Sequence, residues 1–278
     1  HLLGKGAPQS HEEALWWFRL AAEQGLAIAQ FNLGAMHYSG EGVQQDYAEA
    51  MRWYQMAADQ GYDAAQFNLG AMYNLGNGVR RDSVAAAQLF RLAAEQGLDQ
   101  AQLNLGVMHR SGDGVPQDDA EAVKWWRLAA DQGLAEAQTY LSEMHCHGIG
   151  VPQDYAEAVK WLRLAAGQGF APAQYNFGDM CRNGAGVPQD DAEAVRWYQL
   201  AAEQGFAVAQ FNLGLMYCRG RGVAQSYREG YIWLSLAAVD GDEDAGVAAD
   251  NTGTLLLPGE RLEADEEVDR RLEAMGVI

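Results

Sequence analysis

The chain has 278 residues, 49% hydrophobic and 21% charged, with a formal net charge of -19. That charge argues against nucleic acid and anionic membrane as partners, because affinity for phosphate comes mainly from counterion release at a basic face. No apolar run is long enough to insert in a bilayer, and three cysteines, Cys146, Cys181 and Cys218, are too few for a disulfide scaffold.

A repeat of 36 residues governs everything that follows, marked by a glycine column at Gly25, Gly61, Gly97, Gly133, Gly169, Gly205 and Gly241. The chain opens in mid-repeat with His1-Leu2-Leu3-Gly4 and no initiator Met. A first helix and any targeting segment are therefore expected upstream, leaving both a periplasmic or secreted and a cytoplasmic location open. Residues 10–24 then read as an orphan second helix.

From Leu26 to about Asp240 the spacing predicts six complete helix pairs. In the first pair, Ala29, Leu33 and Met36 recur at helical spacing, as do Ala50, Trp53, Ala57 and Ala58 after a loop punctuated by Gly40 and Gly42. Each second helix has a capping residue: Ser10, Asp46, Asp82, Asp118, Asp154, Asp190 and Ser226. A glutamate three residues on, such as Glu49 or Glu121, completes the pattern of a capping box. Gly34, Gly70, Gly106, Gly178 and Gly214, with Ser142 in the fourth copy, are expected to let the alanine-rich face of the second helix come close. The column Trp17, Trp53, Leu89, Trp125, Trp161, Trp197 and Trp233 then fills the remaining space. The methionine column from Met36 to Met216 reads as core.

Residues 241–278 form a capping segment of the same domain. Asp242 to about Thr254 replaces a first helix, and Pro258 to Met275 reads as a closing amphipathic helix with Ala264, Val268, Leu272 and Met275 inward. From Asp240 onward twelve acidic residues face only Arg261, Arg270 and Arg271, as suits the polar end of an open solenoid.

Written as Ala-x-Ala-Gln-x-Asn-Leu-Gly-x-Met-Tyr-x-x-Gly-x-Gly-Val-x-Gln-Asp-x-x-Glu-Ala-x-x-Trp-x-x-x-Ala-Ala-x-Gln-Gly, the motif closely resembles the Sel1-like repeat, a relative of the tetratricopeptide repeat. The resemblance runs from about Gly4 to Asp240. It implies an all-α fold, a right-handed α/α superhelical solenoid of helix-turn-helix repeats. It also implies an adaptor for other proteins, in bacterial signalling, envelope or host-interaction roles, with a protein or peptide as partner and a monomer as the favoured state.

Some cysteine-rich members of that family are linked to β-lactam binding or hydrolysis, so the alternative is an envelope-associated hydrolase or ligand-binding protein of the β-lactam or peptidoglycan type. No Ser-x-x-Lys, Gly-x-Ser-x-Gly, His-Glu-x-x-His or phosphate-binding glycine motif occurs, and cysteines do not pair within a repeat. No catalytic residue and no cofactor is expected. The run His145-Cys146-His147 does not suit a metal, because neighbours on a helix diverge instead of converging.

Function is expected on the first helices, which line the concave side by analogy with tetratricopeptide repeats. The candidate partner-binding residues are Phe31, Tyr38, Phe67, Leu103, Glu143, Tyr175, Asp179, Arg182 and Phe211. Repeats one to three offer an apolar strip, and the fourth and fifth add polar groups. If the strip is an exposed groove, Phe67→Asp weakens partner binding by at least about 2 kcal/mol and spares the fold. If the aromatics pack between repeats, the same change lowers the melting temperature.

Overall fold

The computed structural model of the protein describes residues 11–239 and 242–277. They contain fifteen α-helices and no strand: α1 (His11–Glu23), α2 (Ala27–Ser39), α3 (Tyr47–Ala58), α4 (Asp63–Leu75), α5 (Ser83–Glu95), α6 (Asp99–Ser111), α7 (Asp119–Asp131), α8 (Ala135–His147), α9 (Tyr155–Gly167), α10 (Ala171–Asn183), α11 (Asp191–Ala202), α12 (Ala207–Arg219), α13 (Tyr227–Ala237), α14 (Glu243–Gly253) and α15 (Pro258–Met275). No helix among the described residues is long and apolar enough to cross a membrane. The chain divides into two compact units, residues 1–132 with α1–α7 and residues 133–278 with α8–α15.

In both units the second helices start where their caps predict. The Asp46, Asp154 and Asp190 carboxylates accept from backbone N–H groups of the first turn at 2.9 to 3.1 Å. Ser10 lies outside the described residues. The other half of the expected capping box is not built. The backbone N–H of each cap donates across the loop to a carbonyl of the preceding first helix, as in Asp46 to His37 and Asp118 to His109, both 2.9 Å. Glu49, Glu121 and Glu157 pair instead with Arg52, Lys124 and Lys160 one turn on.

The glycine column on the first helices lets the alanine-bearing face come close, with the Ala86 and Ala194 carbonyls 3.3 and 3.2 Å from a Cβ built on Gly70 and Gly178. What it mainly admits is a large side chain, an aromatic ring in most repeats and Leu234 at Gly214. A Cβ on Gly34 would lie 2.7 Å from Tyr54, one on Gly106 2.4 Å from the Trp126 indole, and one on Gly178 2.9 Å from Tyr198. The partner is thus the residue following the tryptophan column. Ser142 is the exception to the glycines, and its counterpart Leu162 is an exception to the aromatics. Trp53 itself reaches the preceding repeat, clustering with Ala22 of α1 as well as with Ala29 and Leu33 of its own repeat. Trp17 is 52% exposed, and among the described residues nothing covers that side of α1.

Buried glutamines join successive repeats. Gln30 Nε2 donates to the Ala22 carbonyl at 3.1 Å, and Gln30 Oε1 accepts from Gln60 at 2.7 Å, so one side chain joins α1, α2 and the turn after α3. Gln102 does the same with Ala94 and Gln132, and in the second unit Gln174 does so with Ala166 and Gln204. A buried amide so satisfied costs little to keep and much to strand. The second loop glycine completes the junction. Gly114 has φ +75°, and a Cβ there would lie 2.1 Å from the Ser83 carbonyl at the start of α5.

The second unit closes as the sequence predicts. Ala264 of α15 is buried, with Val268, Leu272 and Met275 half-buried against the cluster that holds Ile232, Trp233 and Leu236. Leu257 cannot cap with its side chain, but its N–H donates to Glu260 at 3.0 Å, which fixes the start of α15 at Pro258. Arg271 binds Glu267 and Glu229 and lies 4.6 Å over the Trp233 ring.

Candidate partner-binding face

On the first unit the strip expected to be exposed is largely packed. Phe31 is half-buried, its ring centroid 5.7 Å from Tyr54 in its own repeat and 5.2 Å from Tyr62 in the next. Phe67 lies 5.5 Å from Phe90 and packs on core alanines of α5. Tyr38 sits 5.2 Å from Tyr47, and its hydroxyl accepts from Asn77 at 3.0 Å. Leu103 corrects the sequence expectation outright: it is 5% exposed, held under the Trp126 indole, which donates to its carbonyl at 3.2 Å. The open apolar residues on these helices are Ile28 at the start of α2, Leu75 at the end of α4 and Val107, one turn beyond Leu103.

In the second unit, Tyr175 is half-buried and stacks on Tyr198 at 5.5 Å while meeting Phe206 of the next repeat at 5.6 Å. Asp179 accepts from Arg182 at 2.6 Å, from Asn183 at 2.8 Å and from the Tyr198 hydroxyl at 3.2 Å. Arg182 also donates to Asn212 of the following repeat, so it links repeats. Phe211 is half-buried against the core. Glu143 is exposed and has no hydrogen-bond or ion-pair partner among the described residues.

The most informative feature is a cleft that appears twice in the same register. In the first unit, Tyr38, Tyr54, Asn68, Ala71 and Met72 enclose about 110 Å³. Three repeats on, Cys146, Leu162, Asn176, Asp179 and Met180 hold the same places, and with Glu143 and Tyr155 they enclose about 410 Å³. Replacing two tyrosines by cysteine and leucine opens the space, which falls in the range of sites that take ligand groups. Among the candidate residues, Glu143 and Asp179 line it. The sequence did not point to the cleft itself. Its signal was present where Leu162 interrupts the run Tyr54, Phe90 and Trp126 and Ser142 replaces glycine.

The electrostatics do not favour nucleophilic chemistry there. Burial pushes the Cys146 thiol above its ordinary range, the Ser142 hydrogen bond opposes this, and the nearby Glu143 charge adds to it. A thiol so placed stays protonated near neutrality and is a weak nucleophile. His145 turns into the core at 7% exposure while Cys146 and His147 face the cleft, so the run does not converge.

Comparison with known proteins agrees with this architecture. A family model described as the Sel1 repeat matches residues 1–26, 27–62, 63–98, 99–134, 135–170, 171–206 and 207–242. A protective antigen present in uropathogenic Escherichia coli strains, described as displaying an SLR fold, is 33% identical; the match covers 99% of this chain and 67% of that one, with a TM-score of 0.70. A Sel1 repeat protein from Oxalobacter formigenes is 37% identical over 90% of this chain and 73% of that one, with a TM-score of 0.78. A search of the curated proteins gave no match.

Proposed function

The chain belongs to the Sel1 repeat family, whose repeats mediate protein interactions, and we propose that it is a non-catalytic scaffold that binds a peptide segment or protein surface on the face formed by its first helices. The observation that carries this reading is the open cleft bounded by Glu143 and Asp179, set where the first repeat fills the equivalent space with the Tyr38 and Tyr54 rings. In the same unit the half-buried Tyr175 and Phe211 supply a rigid apolar border, and aromatic groups with one exposed edge are effective anchors for a partner. The setting is bacterial, as for the two similar solved proteins.

Crosslinking tests the reading directly. A photoreactive residue at Val107 or Leu215, on first helices, is expected to capture a protein from a bacterial lysate. The same residue at Leu92 or Leu164, exposed on second helices, is not. Equal capture from both sets overturns the assignment of the face. Turnover of a β-lactam or a peptidoglycan fragment by the purified chain overturns the non-catalytic role.

A further inference from the structure

The two clefts in equivalent register differ in chemistry as well as in size. In the first, the Tyr54 hydroxyl is hydrogen-bonded to Asn68. Leu162 offers no hydroxyl, and Asn176, the counterpart of Asn68, has no hydrogen-bond partner among the described residues. The small side chains Ala35 and Ala71 are replaced at the second cleft by Glu143 and Asp179. Enlargement therefore comes together with a set of hydrogen-bond acceptors.

We propose that the cleft formed by α8, α9 and α10 receives an arginine side chain of the partner, a point that rests on the first-helix face being the binding face. Leu162 and Met180 give apolar wall for the methylene stem, and the exposed Tyr155 ring offers a face for a planar cation. Glu143 carries a charge not neutralised by any ion pair among the described residues, and the Asn176 carbonyl oxygen adds a neutral acceptor. A guanidinium has five N–H donors in a fixed fork and can satisfy both, whereas an ammonium is a compact, strongly hydrated point charge. An aliphatic anchor would strand these acceptors, and an acidic one would meet two carboxylates with Arg182 already committed to Asp179 and Asn212.

The test uses the full chain with methyl-labelled methionine and a blocked Gly-Ala-Arg-Ala-Gly peptide, alongside the same peptide carrying neutral citrulline in place of arginine. The Met180 methyl signal is expected to move saturably with the arginine peptide, while Met72, at the filled cleft, stays still. Citrulline should bind about tenfold more weakly or worse, and Glu143→Gln should cost the arginine peptide a similar factor. Rebuilding the first cleft requires S142G/C146Y/L162Y together, because a Cβ at the glycine position collides with the tyrosine ring, as Gly34 and Tyr54 show. That variant should lose the Met180 response and keep its helical circular dichroism; if it does not fold, Glu143→Gln, at an exposed position, still decides. Equal affinity for the two peptides, an unaffected Glu143→Gln variant, or an unmoved Met180 signal each overturns the arginine assignment. None of these outcomes bears on crosslinking at Val107 or Leu215, which lie outside the cleft, so the scaffold reading stands or falls separately.

Discussion

At Gly106 an added methyl group has no room: its carbon would lie 2.4 Å from the Trp126 indole nitrogen. Gly106→Ala should therefore destabilise by about 1–3 kcal/mol through overpacking, whereas Gly246→Ala, in α14 with nothing within 4 Å, should stabilise by roughly 0.5 kcal/mol. Chemical denaturation of the two variants checks the contrast. At Gly34, the equivalent position in the first pair, the neighbour is Tyr54, and burial gives it a pH signature. Desolvation pushes the Tyr54 hydroxyl from 10.0 to about 12 against the opposing Asn68 hydrogen bond. Since the unfolded chain loses this proton first, the stabilisation is intact below pH 10 and declines as pH rises through 12, by about 3 kcal/mol. Tyr54→Phe should flatten that alkaline decline, measured as melting temperature against pH; an unchanged slope would mean that the hydroxyl is not held neutral by the fold. Phe67→Asp belongs with these residues: with Phe67 packed on Phe90, it should lower the melting temperature, making it a test of stability and not of partner binding.

Among the elements, the second helices show which half of a sequence signature the fold uses. Because the N–H of Asp118 is taken by the His109 carbonyl, its side chain matters and the box partner does not. Asp118→Ala should cost about 1 kcal/mol, and Glu121→Ala no more than about 0.5 kcal/mol from its pair with Lys124. Helix ends were legible because caps and left-handed glycines act locally. What faced what across a pair was not, since Gly34 looks the same in sequence whether it admits an alanine or the Tyr54 ring. The candidate face was legible as a column and illegible in its exposure. Leu103 and Phe67 are covered by side chains from second helices, Trp126 and Phe90, about twenty residues along the chain. The open cleft depends likewise on two substitutions, Cys146 and Leu162, on different helices.

For the molecule as a whole, the repeated junction makes one repeat exchangeable for the next. In the first unit, deleting residues 62–97 removes α4 and α5 and brings α6 onto α3. Leu98 would then follow Gly61 as Tyr62 does, and the Gln102 amide would find the Ala58 carbonyl, which now accepts from Gln66, in place of that of Ala94. Gly114 would approach the start of α3, where Gly78 now lies against Tyr47, so each lost junction is replaced by one of the same kind. Stability in such arrays is close to a sum of repeat and nearest-neighbour contributions. The shortened chain should accordingly keep its helical circular dichroism per residue and melt a few degrees lower. Deleting residues 62–79 alone removes α4 and leaves α5 without the helix that carries Gly70. The Phe90 ring then loses its seat and Ala58 its glutamine, and this shorter deletion should be the more damaging of the two. Greater loss of helical signal from the 36-residue deletion than from the 18-residue one would contradict the additive description and require contacts beyond neighbouring repeats.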